Sequence, residues 1–271
     1  MIVDAQIHVW EADRAGRRWP KAGSDGRTRT PQRAVPLSPA EALWAMHSSG
    51  VDRAILIPPS WEGDRNDCAL AAAATHPERF AVMGRVGTQV TAGTFANWRT
   101  QPGMLGARVI LTEKDAWFRE GQGHWLWHAR IPLMIAPAGN IAFVGKVAAA
   151  HPDLPITVDH MGARVHETGA SAFADIDHLL ALSRLPNVSV KASCLPAYSN
   201  MQKPWTDVMP YLRTLYDAFG AQRLFWGSDL SRLGCPYGEL VGFFREEIGW
   251  LRGADRDAVM GKAILAWLGW A

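Results

Sequence analysis

The chain has 271 residues, 48% of them hydrophobic and 20% charged, with a formal net charge of +2 and a sequence pI near 8.5. That length and apolar content suit a single domain over residues 1–271, and the small charge, with no basic block, disfavours nucleic acid as a partner. Cys68, Cys194 and Cys235 form no CxxC pair, and no signal-like leader or uninterrupted apolar run of about 18 residues occurs, so a soluble protein of the reducing cytoplasm without membrane contact is expected.

Short apolar runs rich in β-branched residues alternate with longer Ala- and Leu-rich stretches, the pattern of a parallel sheet built from βα units. The first strand is expected over residues 2–8, IVDAQIH. Alternation puts Asp4, Gln6 and His8 on one face and Val3, Ala5, Ile7 and Val9 on the other. The apolar face meets the helices, so three polar groups enter the interior that branched apolar side chains ordinarily fill, with His8 nearest the C-terminal mouth. Segment 11–37 is polar, rich in Arg, Gly and Pro, and without periodicity; it reads as a long lid or binding loop on that face. Ser38, Pro39 and Glu41 then supply a cap, a proline at the first helical position and a first-turn carboxylate, opening a helix over 40–49.

Further strands are expected at 52–58, 80–86, 105–111, 131–136, 155–160, 187–192 and 223–228. Helices are expected at 64–76, 91–99, 122–129, 140–150, 171–184, 206–219 and 236–250, with a closing one at 255–268. His76 and His151 each precede a proline, which pushes the residue before it out of helical geometry. Eight strands with eight helices close a (β/α)8 barrel of the α/β class. A doubly wound open sheet wants a Gly-rich turn after strand 1, which IHVWEADRAG lacks. Trp10, Trp61, Trp117, Trp125, Trp127, Trp205 and Trp226 fall near strand ends or in loops, mostly as packing residues, with one or two as walls for a planar substrate.

Two later strands also end in titratable groups, His160 in VDHMG and Asp229 in WGSDLSR. A lone inward histidine is ordinarily a satisfied core residue. Three such groups at one end of a barrel are poorly explained by packing, because burying each unpaired costs several kcal/mol. Together they suit activation of water: Asp229 takes the proton as general base, while His8 and His160 polarise a carbonyl directly or through a divalent ion. Arg85, Arg108, Arg164 and Lys191, near strand ends, are candidates to bind the carboxylates of an acidic small-molecule substrate. An ion pair to a neighbour such as Asp4 or Asp159 is the alternative for each.

The segments DAQIHVW, VDHMG, VSVKASCL and WGSDLSR, in this order and at these strand ends, resemble the amidohydrolase-2 branch of the amidohydrolase superfamily, over nearly the whole chain. The resemblance implies a distorted (β/α)8 barrel in a branch that includes lactonases of pyrone dicarboxylate, muconolactone-type and sugar lactones, and some aromatic-acid decarboxylases. The superfamily draws metal ligands from a His-x-His pair on strand 1, histidines on strands 5 and 6, and an aspartate on strand 8. Carried over, these are His8, His160 and Asp229. The first histidine of the pair is replaced by Gln6, strand 5 has Ala136 and Pro137 where a histidine is wanted, and strand 4 offers Arg108 in place of a bridging lysine or glutamate.

Two metals would lack ligands. The resemblance therefore implies either one divalent ion, zinc or manganese, on His8, His160 and Asp229 with Gln6 adding a weak oxygen, or metal-free hydrolysis with Asp229 as base and cationic side chains as electrophiles. Gln6 tilts this choice toward weak or absent metal. Opening of a lactone or similar cyclic ester is the leading expectation. Metal-dependent decarboxylation of an aromatic acid and a non-catalytic ligand-binding barrel are the alternatives, and loops 11–37, 59–66, 112–122 and 193–206 would set specificity.

Overall fold

In a computed structural model, which describes residues 1–22, 29–87, 90–111 and 123–271, the apolar runs become eight parallel strands. They are Val3–Ile7 (β1), Arg53–Leu56 (β2), Phe80–Arg85 (β3), Met104–Ile110 (β4), Leu133–Ala136 (β5), Ile156–Val158 (β6), Val188–Ser193 (β7) and Leu224–Gly227 (β8). Each pairs with the next in sequence order, giving the nearly closed barrel of a (β/α)8 fold. The expected loop 112–122, Trp117 and part of segment 11–37 lie outside the described residues. Among the described residues no helix is long and apolar enough to cross a membrane, and the three cysteines are free thiols.

Side chains such as Ile55, Val82, Ile135, Ile156, Val188 and Val190 are fully buried, each removal from water contributing about 1.5–3 kcal/mol. The seam between β8 and β1 is joined differently. The Asp229 N–H donates to the Gln6 carbonyl at 2.9 Å, and the Asp4 carboxylate accepts the N–H groups of Ser228 (2.8 Å) and Gln6 (2.9 Å) and the Tyr237 hydroxyl (2.7 Å). A side chain thus does the work of ladder bonds across the seam.

That arrangement follows from a bulge in β1. Asp4 stands opposite Ala54 while Ile7 stands opposite Leu56, so three steps on β1 match two on β2. The expected row of Asp4, Gln6 and His8 is therefore broken. Asp4 reaches the helix Tyr237–Gly242 and the seam, whereas Gln6 reaches Lys191 on β7.

Helix starts follow local chemistry. Ser38 and Glu41 form a complete capping box at Pro39–Ser49, and His76 and His151, each before its proline, end Asp67–Thr75 and Ile141–Ala150. The helix expected from 64 begins three residues later, because Asn66 is bonded to the Arg85 backbone and Asp64 lies 3.7 Å from the Arg85 guanidinium. The closing helix widens into a π-turn, Ala258–Lys262, at Gly261. There a Cβ would stand 2.7 Å from the Met1 carbonyl oxygen, so glycine permits the close approach to β1.

Candidate active site

Strand β7 places polar side chains at three successive interior levels. Ser189 exchanges a 2.8 Å hydrogen bond with Thr157 of β6. Two residues on, the Lys191 ammonium donates to Gln6 Oε1 at 2.5 Å and Met134 Sδ at 3.3 Å, and lies 2.7 Å from Asp159 Oδ1. Asp159 also accepts from Arg108 Nε at 3.1 Å. Two residues further, Ser193 meets His160 Nδ1 at 2.8 Å.

At the mouth, His8 Nδ1 donates to the Ile57 carbonyl at 2.5 Å, and its Nε2 lies 3.2 Å from Asp229 Oδ1 and 3.3 Å from Gln6 Nε2. Asp229 Oδ1 is buried with no hydrogen-bond partner among the described residues. The approach from His8 is therefore close in charge but not aligned as a bond. Trp61 stands edge-on to the His8 ring, 5.8 Å between centroids, and edge-on to Trp10.

The strand ends turn sharply. His160, Cys194 and Asp229 hold φ values of 52°, 61° and 55° in the left-handed region, His160 inside the 3-10 turn Asp159–Gly162 and the other two each leading into one. For residues with a Cβ this costs on the order of 1–3 kcal/mol apiece, and such strain concentrates where a side chain must be aimed. His160 consequently sits two residues beyond the end of β6.

Burial pushes the Asp229 carboxyl up, but His8, His160 and Arg232 beside it outweigh burial and hold it well below the usual carboxylate range. Burial pulls His160 down to about 4 against the pull of Asp229 and Asp159, so its imidazole is neutral near pH 7. Asp159, raised by burial, is brought down to about 2 by Lys191 and Arg108. Lys191 is lowered by burial, with Asp159 opposing.

The residues singled out in the sequence separate into groups. His8, His160 and Asp229 converge with Gln6, Lys191, Asp159 and Arg108. Lys191 is fully buried: its ammonium donates to Gln6 and Met134 and forms an ion pair with Asp159. Arg164 lies outside the cluster, exposed and paired with Asp175 at 3.0 Å, because the turn after β6 carries it to the surface. Arg85 is buried at the end of β3, donating to the Gly63 carbonyl. Gln6 does not offer an oxygen to a metal, since Lys191 holds that oxygen.

Three contributors were missed. Ser193 was available from the alternation Ser189, Lys191, Ser193 against Val188, Val190 and Ala192. Arg232 was legible only as the basic residue of DLSR; it bonds the Tyr198 hydroxyl at 3.1 Å and the Val165 carbonyl at 2.6 Å. Arg17, in the long loop, is buried between Glu62 and Asp67, and Trp10 N–H meets the Leu37 carbonyl, so the loop is tied down at its base and beside Trp61.

Two ligands bound to zinc at about 2.0–2.2 Å stand about 3.0–3.5 Å apart, and the 3.2 Å between His8 and Asp229 meets that spacing. Gln6 does not: its NH2, a donor, faces His8 where a ligand oxygen would be needed. Among the described residues no group of three His, Cys, Asp or Glu is arranged to hold a metal. A three-ligand ion does not fit.

The amidohydrolase family profile matches residues 3–270. An L-fucono-1,5-lactonase of Burkholderia ambifaria is 27% identical, covering 92% of this chain and 85% of that protein. Among solved structures, a probable 2-pyrone-4,6-dicarboxylic acid hydrolase of Acinetobacter baumannii with bound citric acid matches at a TM-score of 0.78 and 14% identity, covering 99% of both chains. A Burkholderia multivorans amidohydrolase with bound zinc matches at 0.77 and 20% identity, again over 99% of both. The 5-carboxyvanillate decarboxylase of Sphingomonas paucimobilis matches at 0.67 and 18% identity, over 99% of this chain and 98% of that one. At these identities the structural matches establish a shared fold.

Proposed function

This chain belongs to the amidohydrolase family, and from that membership and the geometry of the barrel mouth we propose that it opens a lactone of an acidic small molecule by attack of water. The observation that carries the reading is the free oxygen of Asp229: ionised, buried, strained into position and without a hydrogen-bond partner among the described residues. In this reading the attacking water donates one hydrogen to the Asp229 carboxylate. As water's oxygen bonds to the ester carbonyl carbon, its proton passes to Asp229. The carbon–oxygen bond of the ring then breaks, and the leaving oxygen takes a proton to become the hydroxyl of a hydroxy acid.

A carboxylate held so far below neutrality is always ionised but draws protons weakly, so the carbonyl must be strongly polarised. Neutral His160, fixed through Ser193, is the group at hand for this, while His8, whose Nδ1–H is donated to the Ile57 carbonyl, stands beside Asp229. Arg108 on β4, Arg85 at the end of β3 and Arg232 after β8 are the cations available for an acidic group on the substrate, Arg108 keeping Asp159 as a partner. The similarity to a sugar lactonase and to the fold of a pyrone-dicarboxylate hydrolase supports this substrate class. Decarboxylation would instead ask Asp229 to deliver a proton to a ring carbon, and its carboxyl is held ionised.

The test is turnover of a panel of sugar and dicarboxylate lactones by wild type and Asp229→Asn. The substitution is expected to lower kcat by about 10²- to 10⁴-fold, the usual contribution of a general base. Undiminished turnover in the variant would remove Asp229 from the mechanism.

A further inference from the structure

At Gln6, where the metal-binding pattern of strand 1 is broken, the amide is held in one orientation. An ammonium has donors and no acceptor, so Lys191 at 2.5 Å fixes the oxygen of Gln6, not its nitrogen. Lys191 is itself fully buried and held by Asp159 at 2.7 Å. Turning the amide over would set NH2 against NH3⁺ in a dry interior. The Gln6 NH2 therefore faces His8, 3.3 Å from Nε2. Because the Ile57 carbonyl only accepts, the uncharged His8 ring carries its hydrogen on Nδ1, and its Nε2 lone pair meets the Gln6 NH2, with Asp229 Oδ1 3.2 Å away and not bonded to it.

That lone pair is the one a metal ion would need. The charges agree with its being taken: Lys191 and Arg108 already face Asp159, and Arg232 lies beside Asp229, so a divalent ion would add two further positive charges to a buried layer. We propose that the Lys191–Gln6 pair excludes a metal ion from this site and takes over the task of orienting His8 as its Nδ1–H tautomer. Gln6 is then a positioning residue that holds the His8 ring beside Asp229. The inference rests on the mouth cluster being the active site, but its test does not depend on turnover.

Wild-type protein, freed of metal with a chelator and titrated with zinc, is expected to take up less than about 0.1 equivalent by calorimetry and elemental analysis, far below the occupancy of a built three-ligand site. Gln6→His replaces the donor by a ligand and is expected to bind one zinc per chain, lost again when His8→Asn is added. One zinc per wild-type chain that His8→Asn removes, or a folded Gln6→His variant that binds none, would overturn the proposal. Should Gln6→His not fold, nitrogen NMR of the wild-type imidazoles decides. A His8 Nε2 signal of the lone-pair type, unmoved by zinc, supports the proposal, and one that is protonated or shifted by zinc overturns it. Failure of every lactone in the panel would remove the functional reading and leave the zinc result standing.

Discussion

Asp4 at the seam and Asp159 in the interior layer are both completely buried aspartates, and they reach opposite states. Asp4 accepts from two backbone N–H groups and the Tyr237 hydroxyl, all uncharged, and burial leaves it raised to about 6. Asp159 is raised by burial too, but Lys191 and Arg108 bring it down to about 2. Neutral hydrogen bonds reduce the cost of an enclosed carboxylate; full positive charges reverse it. The seam is thereby a structural joint, while the layer beneath the mouth is a preorganised set of charges that holds Gln6 and, through it, His8.

The sharpest way to break this comparison is Asp159→Asn. It leaves Lys191 and Arg108 in the interior without their counter-charge, and a loss of about 3–5 kcal/mol is expected from urea unfolding at pH 7. A loss under about 1 kcal/mol, the range of an exposed pair, would show that the layer is not held by these ion pairs. Because the folded value lies below the unfolded one, the contribution of Asp159 is present above about pH 4 and lost as pH falls through about 2.

Asp4 runs the other way. Its folded value lies above the unfolded 3.8, so its contribution is full below that value and is lost as pH rises through about 6. A shift of about two units corresponds to on the order of 3 kcal/mol. Asp4→Asn keeps an oxygen for Ser228 and Gln6 and removes the titration. Wild type should therefore lose roughly that amount relative to the variant between pH 4 and pH 8, read from paired urea curves. A constant difference across that range would mean that Asp4 is ionised throughout, and the contrast with Asp159 would fall.

The sequence made the eight strands legible because each is a short β-branched run bounded by turns, and the capping box at Ser38 and the prolines after His76 and His151 marked helix ends. The mouth residues His8, His160 and Asp229 were legible as polar groups where apolar ones belong. What was not legible depends on distant partners or on backbone geometry. The bulge that sends Asp4 to the seam has no compositional mark, and the left-handed φ of His160, Cys194 and Asp229 falls on residues that carry no such signal. Gln6 reads as a missing ligand until Lys191, 185 positions away in the chain, is seen to turn its oxygen inward. The helix expected over 171–184 breaks into Gly169–Ala172, Ile176–Ala181 and a 3-10 turn, a division that its Ala- and Leu-rich run does not announce.

Glu62 lies between the two extremes and gives the finest test. It is buried at the mouth beside a full charge, Arg17, yet it is raised: burial comes first, Arg17 opposes it, and the neighbouring Asp67 adds a repulsive push. Arg17 divides itself, with two nitrogens on Asp67 and Nε on Glu62. Asp67→Asn removes the competing charge, so the Glu62 carboxyl should titrate lower than in wild type, measured by carbon NMR of the side chain. Asp67 is itself exposed, so stability at pH 7 should change by no more than about 0.5 kcal/mol. An unchanged Glu62 titration would mean that Asp67 adds nothing and that burial, opposed by Arg17, sets its value.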